Sequence, residues 1–523
     1  MDVNKRIKLS LYNALMIVLI FMTGSVLLLL NASRWLSRRW GMLNLEQLIF
    51  HMRAPSVGTS PDVIWDFVRE NVPSVTLVIF FIVLVFTRSL KWSQKSQRTA
   101  LGVSVIGFLV FSIVTWNYLW VVLNVQAFVE NQQKISNFIT ENYVDPRDVD
   151  LVFPEEKRNL IHIYLESVET TFMANADGGA FDENLIPELT KLAREYVNFS
   201  PTNQLGGAQV TTGATWTSAG MFAQTAGLPL DVPINGDSIL ADSLLLTYQE
   251  VALFPSKVVT LGEILETQGY RQVLMMGSDA TFGGRRYYFT QNGNYEIWDY
   301  NTAIEQGLIP KDYHVWWGFE DEKLFSFAQD KLLELGKSDQ PFNFTMLTAD
   351  THFEDGFLNE SCEEPFNEQY ANVLACSSRK VYEFVRWIQK QPFYENTTIV
   401  ITGDHLTMQS LESTFWEAFP VPKNYVRTVY NVFINAAIEP EITNGRTFTT
   451  MDIFPTTLAS LGVQIEGDRL GLGTNLFSNQ STLVEQTGIE LLNQELQRKS
   501  TFFENLIKHE RQGRCTLIFF SFS

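Results

Sequence analysis

Three apolar runs in the first quarter of the chain constrain its architecture most, because a helix that crosses a bilayer needs roughly 20 apolar residues. Leu9–Leu30 and Ala100–Asn124 meet that length, whereas Val72–Thr87 is shorter and is also compatible with a helix buried inside the protein. The length of the first run argues against a cleaved signal peptide. We therefore expect a membrane section over residues 1–124 with about three transmembrane helices, and the 523-residue chain leaves room for one large domain after it.

Basic residues set the expected orientation of these helices, since short loops rich in lysine and arginine stay in the cytoplasm. They precede the first run and fill the loop between the second and third. Everything after Asn124 should then lie outside the cytoplasm, as an extracytoplasmic domain anchored in the cell membrane. The residues concerned are Lys5, Arg6, Lys8, Arg88, Lys91, Lys95 and Arg98.

Net charge and cysteine content indicate which class of partner and which cellular compartment to expect. The net charge of −19 argues against nucleic acid as a partner. Cys362 and Cys376 both fall in the part expected to be exported, where a disulfide is permitted, but their spacing leaves the pairing open. Cys515 has no evident partner in the sequence.

From Asn159 onward, short apolar strands alternate with amphipathic helices, which is typical of an α/β domain with a parallel sheet covered on both faces. We expect a helical linker over residues 125–158, the domain over 159–477 and a helical extension over 478–523, whose apolar end Leu517–Phe520 is too short to span a bilayer. The predicted strands are Leu160–Leu165, Gln272–Met276, Phe342–Thr348, Thr398–Thr402 and Val429–Ile434, and the predicted helices include Ile186–Tyr196, Glu322–Leu335 and Ser378–Gln389.

Four residues in three distant segments could together perform chemistry. Glu166 and the pair Asp404-His405 directly follow apolar strands, and Thr217 lies in a threonine-rich turn that leads into a helix. Ligands of α/β folds bind at the carboxyl ends of the strands, so these side chains can meet there. Two carboxylates, an imidazole and a hydroxyl can hold one divalent cation and activate the threonine as a nucleophile. Taken one at a time, each segment is equally compatible with an ordinary turn or helix cap.

Two further residues suit contacts with a phosphate. Arg285 follows two glycines and could grip phosphate oxygens through its guanidinium group. His352 lies just past a predicted strand and could act as a ligand or as a general acid for a leaving group. His314, Trp316 and Trp317 could line the same site or simply pack as aromatic residues, and His51 is expected in the short extracytoplasmic loop rather than in the domain.

At these residues the sequence resembles the lipoteichoic acid synthase and phosphoglycerol transferase family, a sulfatase-like branch of the alkaline phosphatase superfamily. The resemblance covers roughly Asn159 to Phe477 and implies an α/β/α sandwich. Its motifs are Leu165-Glu166-Ser167, Trp216-Thr217-Ser218-Ala219-Gly220, Gly227-Leu228-Pro229, Phe282-Gly283-Gly284-Arg285, Asp350-Thr351-His352 with Asp355-Gly356, Gly403-Asp404-His405 and Arg469-Leu470-Gly471-Leu472-Gly473.

The resemblance also implies a mechanism and a ligand set. Glu166, Thr217, Asp404 and His405 would bind one divalent cation, manganese in the first place, with magnesium or zinc as alternatives. Thr217 would take glycerol phosphate from phosphatidylglycerol and pass it to a glycan or glycolipid acceptor. Arg285, His352, Asp350 and Asp279 would contact the substrate.

One position departs from the family pattern. Gly283 stands where the synthases have tryptophan, which leaves the acceptor pocket open and brings the chain nearer to the branch that decorates glycans with phosphoglycerol.

Other functions fit the sequence less well. A sulfatase would need a cysteine or serine in a [CS]-x-P-x-R context, which the chain lacks. A two-metal phosphatase needs more ligands than Asp350, His352, Asp404 and His405 readily provide. A phosphoethanolamine transferase of the same fold and a non-catalytic domain that binds an envelope polymer remain as alternatives.

Overall fold

The structure is a computed structural model that describes residues 3–39, 45–55, 57–231 and 253–507. Cys515 and the predicted apolar end Leu517–Phe520 lie outside the described residues.

Helices dominate the membrane section. Among the described residues, three helices are long and apolar enough to cross a membrane, as predicted. The second is much longer than the apolar run Val72–Thr87, and its Phe80 and Phe81 expose more than half of their side chains, which rules out a helix buried inside the protein. The section contains α1 (Val3–Arg39), the short α2 (Leu45–Arg53), α3 (Pro61–Ser89) and α4 (Gln94–Val122).

The rest of the described chain alternates strands and helices, as the sequence pattern indicated. The helices are α5 (Val125–Gln132), α6 (Phe138–Asn142), α7 (Pro187–Glu195), α8 (Thr217–Ala226), α9 (Leu261–Thr267), α10 (Arg285–Gln291), α11 (Tyr300–Glu305), α12 (Asp321–Leu335), α13 (Gln369–Ile388), α14 (Thr414–Ala418), α15 (Ile453–Ser460), α16 (Leu483–Thr487), α17 (Ile489–Leu496) and α18 (Thr501–Ile507). The strands are β1 (Leu151–Val152), β2 (Asn159–Leu165), β3 (Arg271–Met276), β4 (Glu296–Trp298), β5 (Phe342–Leu347), β6 (Thr397–Gly403), β7 (Asn431–Ile434), β8 (Gln464–Ile465), β9 (Arg469–Leu470) and β10 (Gly473–Thr474).

The main sheet has six strands in the order β4-β3-β5-β2-β6-β7. All neighbours are parallel except β6 and β7, which are antiparallel, so the expectation of a purely parallel sheet is wrong at this edge. An antiparallel edge strand on an otherwise parallel sheet is common in folds of this class, and the pattern of apolar residues along one strand carries no information on its direction. The sequence analysis also missed β4, which is only three residues long.

Helices cover both faces of this sheet. Successive side chains of a strand point to opposite faces, so Ile161 and Ile163 of β2 pack with α7, α12 and α13 on one side. Leu160 packs with α9 and α15 on the other side, where Tyr164 contacts α8. The predicted α/β/α sandwich is therefore confirmed, and the β2 residues are buried because both faces of the strand are covered.

The segments that flank the domain pack into it more closely than the predicted boundaries imply. Strand β1 lies in the expected linker but pairs with β8 of the domain. Leu483, Leu492 and Phe503 of the expected extension are buried in the same apolar cluster as Phe222 of α8. Residues 125–158 and 478–507 therefore contribute to the packing of the domain.

The structure resolves the question of the two cysteines. Cys362 and Cys376 form a disulfide, which joins the loop after β5 to helix α13. A disulfide of this kind agrees with the expected location of the domain outside the cytoplasm.

Candidate functional site

Two neighbouring strands bring the predicted acidic residues together. Leu165 at the end of β2 pairs with Gly403 at the end of β6, so Glu166 and Asp404 leave the same edge of the sheet side by side. Thr217 is the first residue of α8, whose N-terminus points to this edge. The structure thus unites Glu166, Thr217, Asp404 and His405, as predicted, although they are up to 239 residues apart in the sequence.

The four side chains converge within hydrogen-bonding distances. The Thr217 hydroxyl oxygen lies 3.3 Å from Glu166 Oε2 and 3.3 Å from His405 Nε2. His405 Nε2 is in turn 3.3 Å from Glu166 Oε1 and 3.4 Å from Asp404 Oδ2. Ligand atoms of Glu166, Asp404 and His405 all lie within 4.8 Å of one another, a spacing that one metal ion can bridge.

Two details of hydrogen bonding fit the cluster to a cation. Asp404 Oδ2 is buried yet has no hydrogen-bond partner, which is costly for a carboxylate oxygen unless a ligand satisfies it. His405 donates its Nδ1–H to the carbonyl of Leu406 at 2.8 Å, so the other ring nitrogen, Nε2, is directed at the cluster, as in metal-bound histidines. Together with the Thr217 hydroxyl, these donors fit one divalent cation.

The charges of the site favour the same conclusion. Burial and the neighbouring Glu166 raise the pKa of Asp404 to about 7. Burial alone would lower the pKa of His405, but Asp404 and Glu166 outweigh it and raise that pKa to about 10. Burial also acts to raise the pKa of Glu166, yet His405 and His352 hold it below its usual range. The two buried carboxylates, Glu166 and Asp404, thus lie beside a single imidazole, which can balance only one of their negative charges. A divalent cation would supply the further positive charge.

Ser167 is a site residue that the sequence analysis did not single out. Its backbone adopts a φ of 59°, which is strained for a residue other than glycine. In this conformation its N–H donates to Asp404 Oδ1 at 2.8 Å and its hydroxyl donates to Glu166 Oε1 at 2.9 Å. Ser167 therefore orients both carboxylates, and its signals in the sequence were its position directly after Glu166 and its place in the motif Leu165-Glu166-Ser167.

A glycine lets helix α8, which begins at Thr217, approach the candidate metal site. A Cβ atom at Gly220 of α8 would lie 2.2 Å from the carbonyl oxygen of Asp404, closer than any real contact. The Gln224 side chain one turn later donates to the carbonyl of Gly403 at 2.9 Å. The backbone of α8 is thus held against the end of β6, which places Thr217 beside Asp404 and His405.

A cavity of about 280 Å³ opens in front of Thr217, between the domain and the membrane section. The domain contributes Thr217, Arg285 and His352 to its wall. The opposite wall contains Leu36 of α1 and Val63 of α3, so the cavity extends from the Thr217 hydroxyl to the ends of two helices that are candidate membrane spans. Most of its surface is apolar, which suits a ligand with a lipid part.

Arg285 is placed to hold an anion in this cavity. Its side chain is buried, and its Nε–H donates to the carbonyl of Phe282 at 3.0 Å. The remaining contacts of the guanidinium group, with Ser278 Oγ and the carbonyl of Asp279, are long at 3.5 Å. Burial lowers the pKa of Arg285, but an arginine remains charged at neutral pH. A buried cation of this kind gains most from a charged partner such as a phosphate.

His352 also lines the cavity, where its ring stacks on that of Phe353 and contacts the tilted ring of Trp317. Its Nδ1–H donates to the carbonyl of Phe353 at 2.6 Å, and burial lowers its pKa. Both features favour a neutral ring that accepts a hydrogen bond through Nε2. The general-acid role considered from the sequence fits this environment less well. Trp317 lines the cavity, whereas His314 is exposed and contacts Tyr300.

Two expected substrate contacts lie elsewhere. Asp350 Oδ1 accepts a hydrogen bond from the backbone N–H of Asp321 at 3.0 Å, and its Oδ2 lies 3.9 Å from Lys380 Nζ. Asp279 accepts one from the N–H of Thr281 at 2.8 Å. Neither carboxylate is part of the cavity wall, because each accepts a hydrogen bond from a nearby backbone N–H. The sequence pattern does not reveal contacts of this kind.

The short helix α2 supplies a residue that sequence reasoning assigned to a loop outside the domain. Its His51 lines the cavity together with Thr217 and Arg285. The ring contacts Trp216 and Phe282 of the domain. No local signal could have shown this, because the contact joins a segment between two membrane helices to the distant α8.

A comparison with known protein families places this geometry in context. The family model described as Sulfatase matches residues 158–463, more than half of the chain. The chain belongs to the sulfatase family. The matched region of this sulfatase-family chain contains all of Glu166, Thr217, Asp404 and His405.

The chain is also similar to curated bacterial proteins. It is 31% identical over 335 residues to phosphoglycerol transferase I of Escherichia coli, a match that covers 63% of this chain and 40% of that protein. The same identity and coverage hold for phosphoglycerol transferase I of Shigella boydii. The chain thus spans well under half of the length of the curated relatives that it matches.

Solved structures give a weaker likeness. Lipoteichoic acid synthase LtaP of Listeria monocytogenes superposes with a TM-score of 0.48 and 15% identity, over 65% of this chain and 80% of that chain. The integral membrane phosphoethanolamine transferase EptA of Neisseria meningitidis gives a TM-score of 0.46 and 13% identity, over 85% and 84% of the two chains. At these scores the superpositions add nothing to the family assignment.

Proposed function

We propose that this sulfatase-family protein is a membrane-anchored, metal-dependent phosphoglycerol transferase. It would move glycerol phosphate from phosphatidylglycerol to an envelope glycan or glycolipid through a phosphothreonine intermediate. The observation that carries the proposal is the position of the Thr217 hydroxyl, which lies at a cation-binding cluster inside a cavity that reaches two membrane helices. The similarity to phosphoglycerol transferase I supports the choice of the transferred group.

In the first step, Thr217 Oγ attacks the phosphorus atom of the donor and the phosphorus–oxygen bond to diacylglycerol breaks. Thr217 loses its proton and the departing diacylglycerol oxygen gains one, so a phosphoglycerol group remains on Thr217. In the second step, an acceptor hydroxyl attacks the same phosphorus and the bond between phosphorus and Thr217 Oγ breaks. The acceptor hydroxyl loses its proton and Thr217 gains one. When bound by Glu166, Asp404 and His405, a divalent cation, for which we favour manganese, lowers the pKa of the Thr217 hydroxyl and neutralises phosphoryl charge.

The residues around Thr217 suit the charge that moves in these steps. The guanidinium group of Arg285 can donate to the non-bridging oxygens of the phosphodiester. Thr217 begins a ten-residue helix, whose first backbone N–H groups have no partner within the helix and favour a phosphate at this end. Ser167 keeps Glu166 and Asp404 in place, so little reorganisation is needed when the donor binds.

The membrane section explains the choice of a lipid donor. The cavity wall continues from Thr217 to Leu36 of α1 and Val63 of α3, so a phospholipid could bring its head group to Thr217 while its acyl chains stay among the membrane helices. The basic loops predict that the domain faces the outside of the cytoplasm, where an envelope acceptor would be found.

Release of diacylglycerol from labelled phosphatidylglycerol tests this function. The full-length protein in lipid nanodiscs should release diacylglycerol with manganese and stop when a chelator removes the ion. Thr217→Ala should lower the rate by more than about a thousandfold, because no other group replaces the nucleophile. Thr215→Ala, which alters a threonine outside the cavity wall, is the matched control and should stay within about twofold of the wild type. A Thr217→Ala rate close to that of the wild type would refute the assignment.

A further inference from the structure

Helix α2 is fixed to the domain although it lies between two membrane helices. Phe50 is fully buried, and its ring lies 5.4 Å from that of Trp216 and 6.1 Å from that of Phe254. Gln47, one turn earlier, places its side-chain amide 3.5 Å from the sulfur of Met408. Trp216 directly precedes Thr217, so these contacts set the position of α2 relative to the nucleophile.

His51 follows Phe50 and presents its ring to the cavity. The ring centroid lies 6.4 Å from that of Trp216 and 6.3 Å from that of Phe282, and the side chain forms part of the cavity wall. Its Nδ1 lies 2.8 Å from the carbonyl of Gln47, an acceptor, so Nδ1 must carry the proton. Nε2 of the neutral ring is then a hydrogen-bond acceptor.

The surroundings of His51 favour the neutral form of its ring. Burial lowers the pKa of His51 and the nearby Arg285 acts in the same direction, against the hydrogen bond to Gln47. The neutral imidazole therefore differs from Arg285, which can only donate. Phosphate oxygens need donors such as Arg285, whereas a hydroxyl group next to the phosphate needs an acceptor.

We propose that His51 Nε2 accepts a hydrogen bond from a hydroxyl of the donor's head group and so selects a polyol head group. This inference rests on the proposed function and deepens it, because it assigns head-group selection to a residue of the membrane section. The adjacent guanidinium of Arg285 disfavours a cationic head group at the same position. His51 would thus recognise the hydroxyl-bearing head group, while Arg285 binds the phosphate.

Two lipids that differ only in hydroxyl groups isolate this contact. Phosphatidylglycerol and phosphatidylpropanol have the same acyl chains, phosphodiester and net charge, but the propanol head group offers no hydroxyl. For the full-length protein in nanodiscs, kcat/KM for diacylglycerol release should be higher for phosphatidylglycerol. His51→Phe keeps a ring against Trp216 and Phe282 but has no acceptor, so the ratio of the two kcat/KM values should fall about tenfold.

Further variants separate recognition from packing. His51→Gln retains an acceptor and should preserve part of the ratio, whereas His314→Phe, at an exposed histidine outside the cavity wall, should leave the ratio at its wild-type value. An equal loss on both lipids in His51→Phe, or an unchanged ratio, would overturn the inference while the proposed function stands. Failure of the wild type to release diacylglycerol from either lipid would overturn the proposed function, and head-group selection with it.

Discussion

Ser167 illustrates how much of the site depends on one small side chain in a strained conformation. Its backbone lies in the strained left-handed region, and in this conformation its N–H donates to Asp404 and its hydroxyl donates to Glu166, the two carboxylates of the candidate metal site. Partners of this kind hold the ligands in the orientation that the ion requires.

Removal of the Ser167 hydroxyl should therefore weaken metal binding. We expect Ser167→Ala to lower the affinity for manganese by about 10- to 100-fold, because Glu166 loses the hydrogen bond that orients it. Titration calorimetry on the purified full-length protein measures this affinity. Ser377→Ala, at a buried serine of α13 away from the site, is the matched control. An affinity of Ser167→Ala equal to that of the control would contradict the orienting role.

Single residues also show where sequence reasoning reached its limit. Glu166, Thr217 and Asp404 could be predicted as a set because each stands where an element begins or ends, and that position is visible in the sequence. The roles of Ser167 and His51 arise from a backbone angle and from a long-range contact. Neither follows from the local order of residue types.

At the scale of elements, α2 is the least expected part of the architecture. It has nine residues and too little length to be stable alone, so its helical form depends on the contacts of Phe50 with Trp216 and Phe254. The wall of the cavity opposite Thr217 depends on the same contacts.

Loss of the Phe50 ring should release this helix. In Phe50→Ala we expect faster hydrogen exchange in residues 45–55, because a buried phenyl group contributes about 3–5 kcal/mol to packing. The rate of diacylglycerol release should fall in parallel. Met52→Ala, on the same helix but 73% exposed, serves as the control and should exchange as the wild type does. Unchanged exchange in Phe50→Ala would show that α2 is held by other contacts.

The sheet shows a related limit for elements. The strands β2, β3, β5 and β6 were predicted within one or two residues, because buried strands are short runs rich in apolar residues. The direction of β7 depends on how the chain returns from β6. Helix α13 begins at Gln369, nine residues before the predicted Ser378.

At the scale of the whole molecule, the described chain combines three candidate membrane spans with an α/β/α domain that contains a disulfide. The spans and the fold class could be predicted from apolar length and from strand–helix alternation. The division into linker, domain and extension could not, because β1 and α16–α18 join the domain through tertiary contacts that polar composition conceals.

The disulfide between Cys362 and Cys376 should contribute to global stability. It closes a loop over a sequence separation of 14, for which the loss of chain entropy in the unfolded state predicts about 3 kcal/mol. Cys362→Ser should lower the free energy of unfolding by roughly that amount in denaturant titration. Reduction of the wild type with a thiol should have the same effect. Cys515→Ser should be neutral, and an equal loss in that control would indicate a different pairing.

The central claim is that Thr217 carries the phosphoglycerol group covalently, and mass spectrometry tests it most directly. The full-length protein is incubated with phosphatidylglycerol and manganese without an acceptor, quenched in acid and digested. The account predicts that the peptide containing Thr217 gains the mass of one phosphoglycerol group, and that neither Thr217→Ala nor chelated protein does so. Release of diacylglycerol in the same sample with an unmodified Thr217 peptide would contradict it.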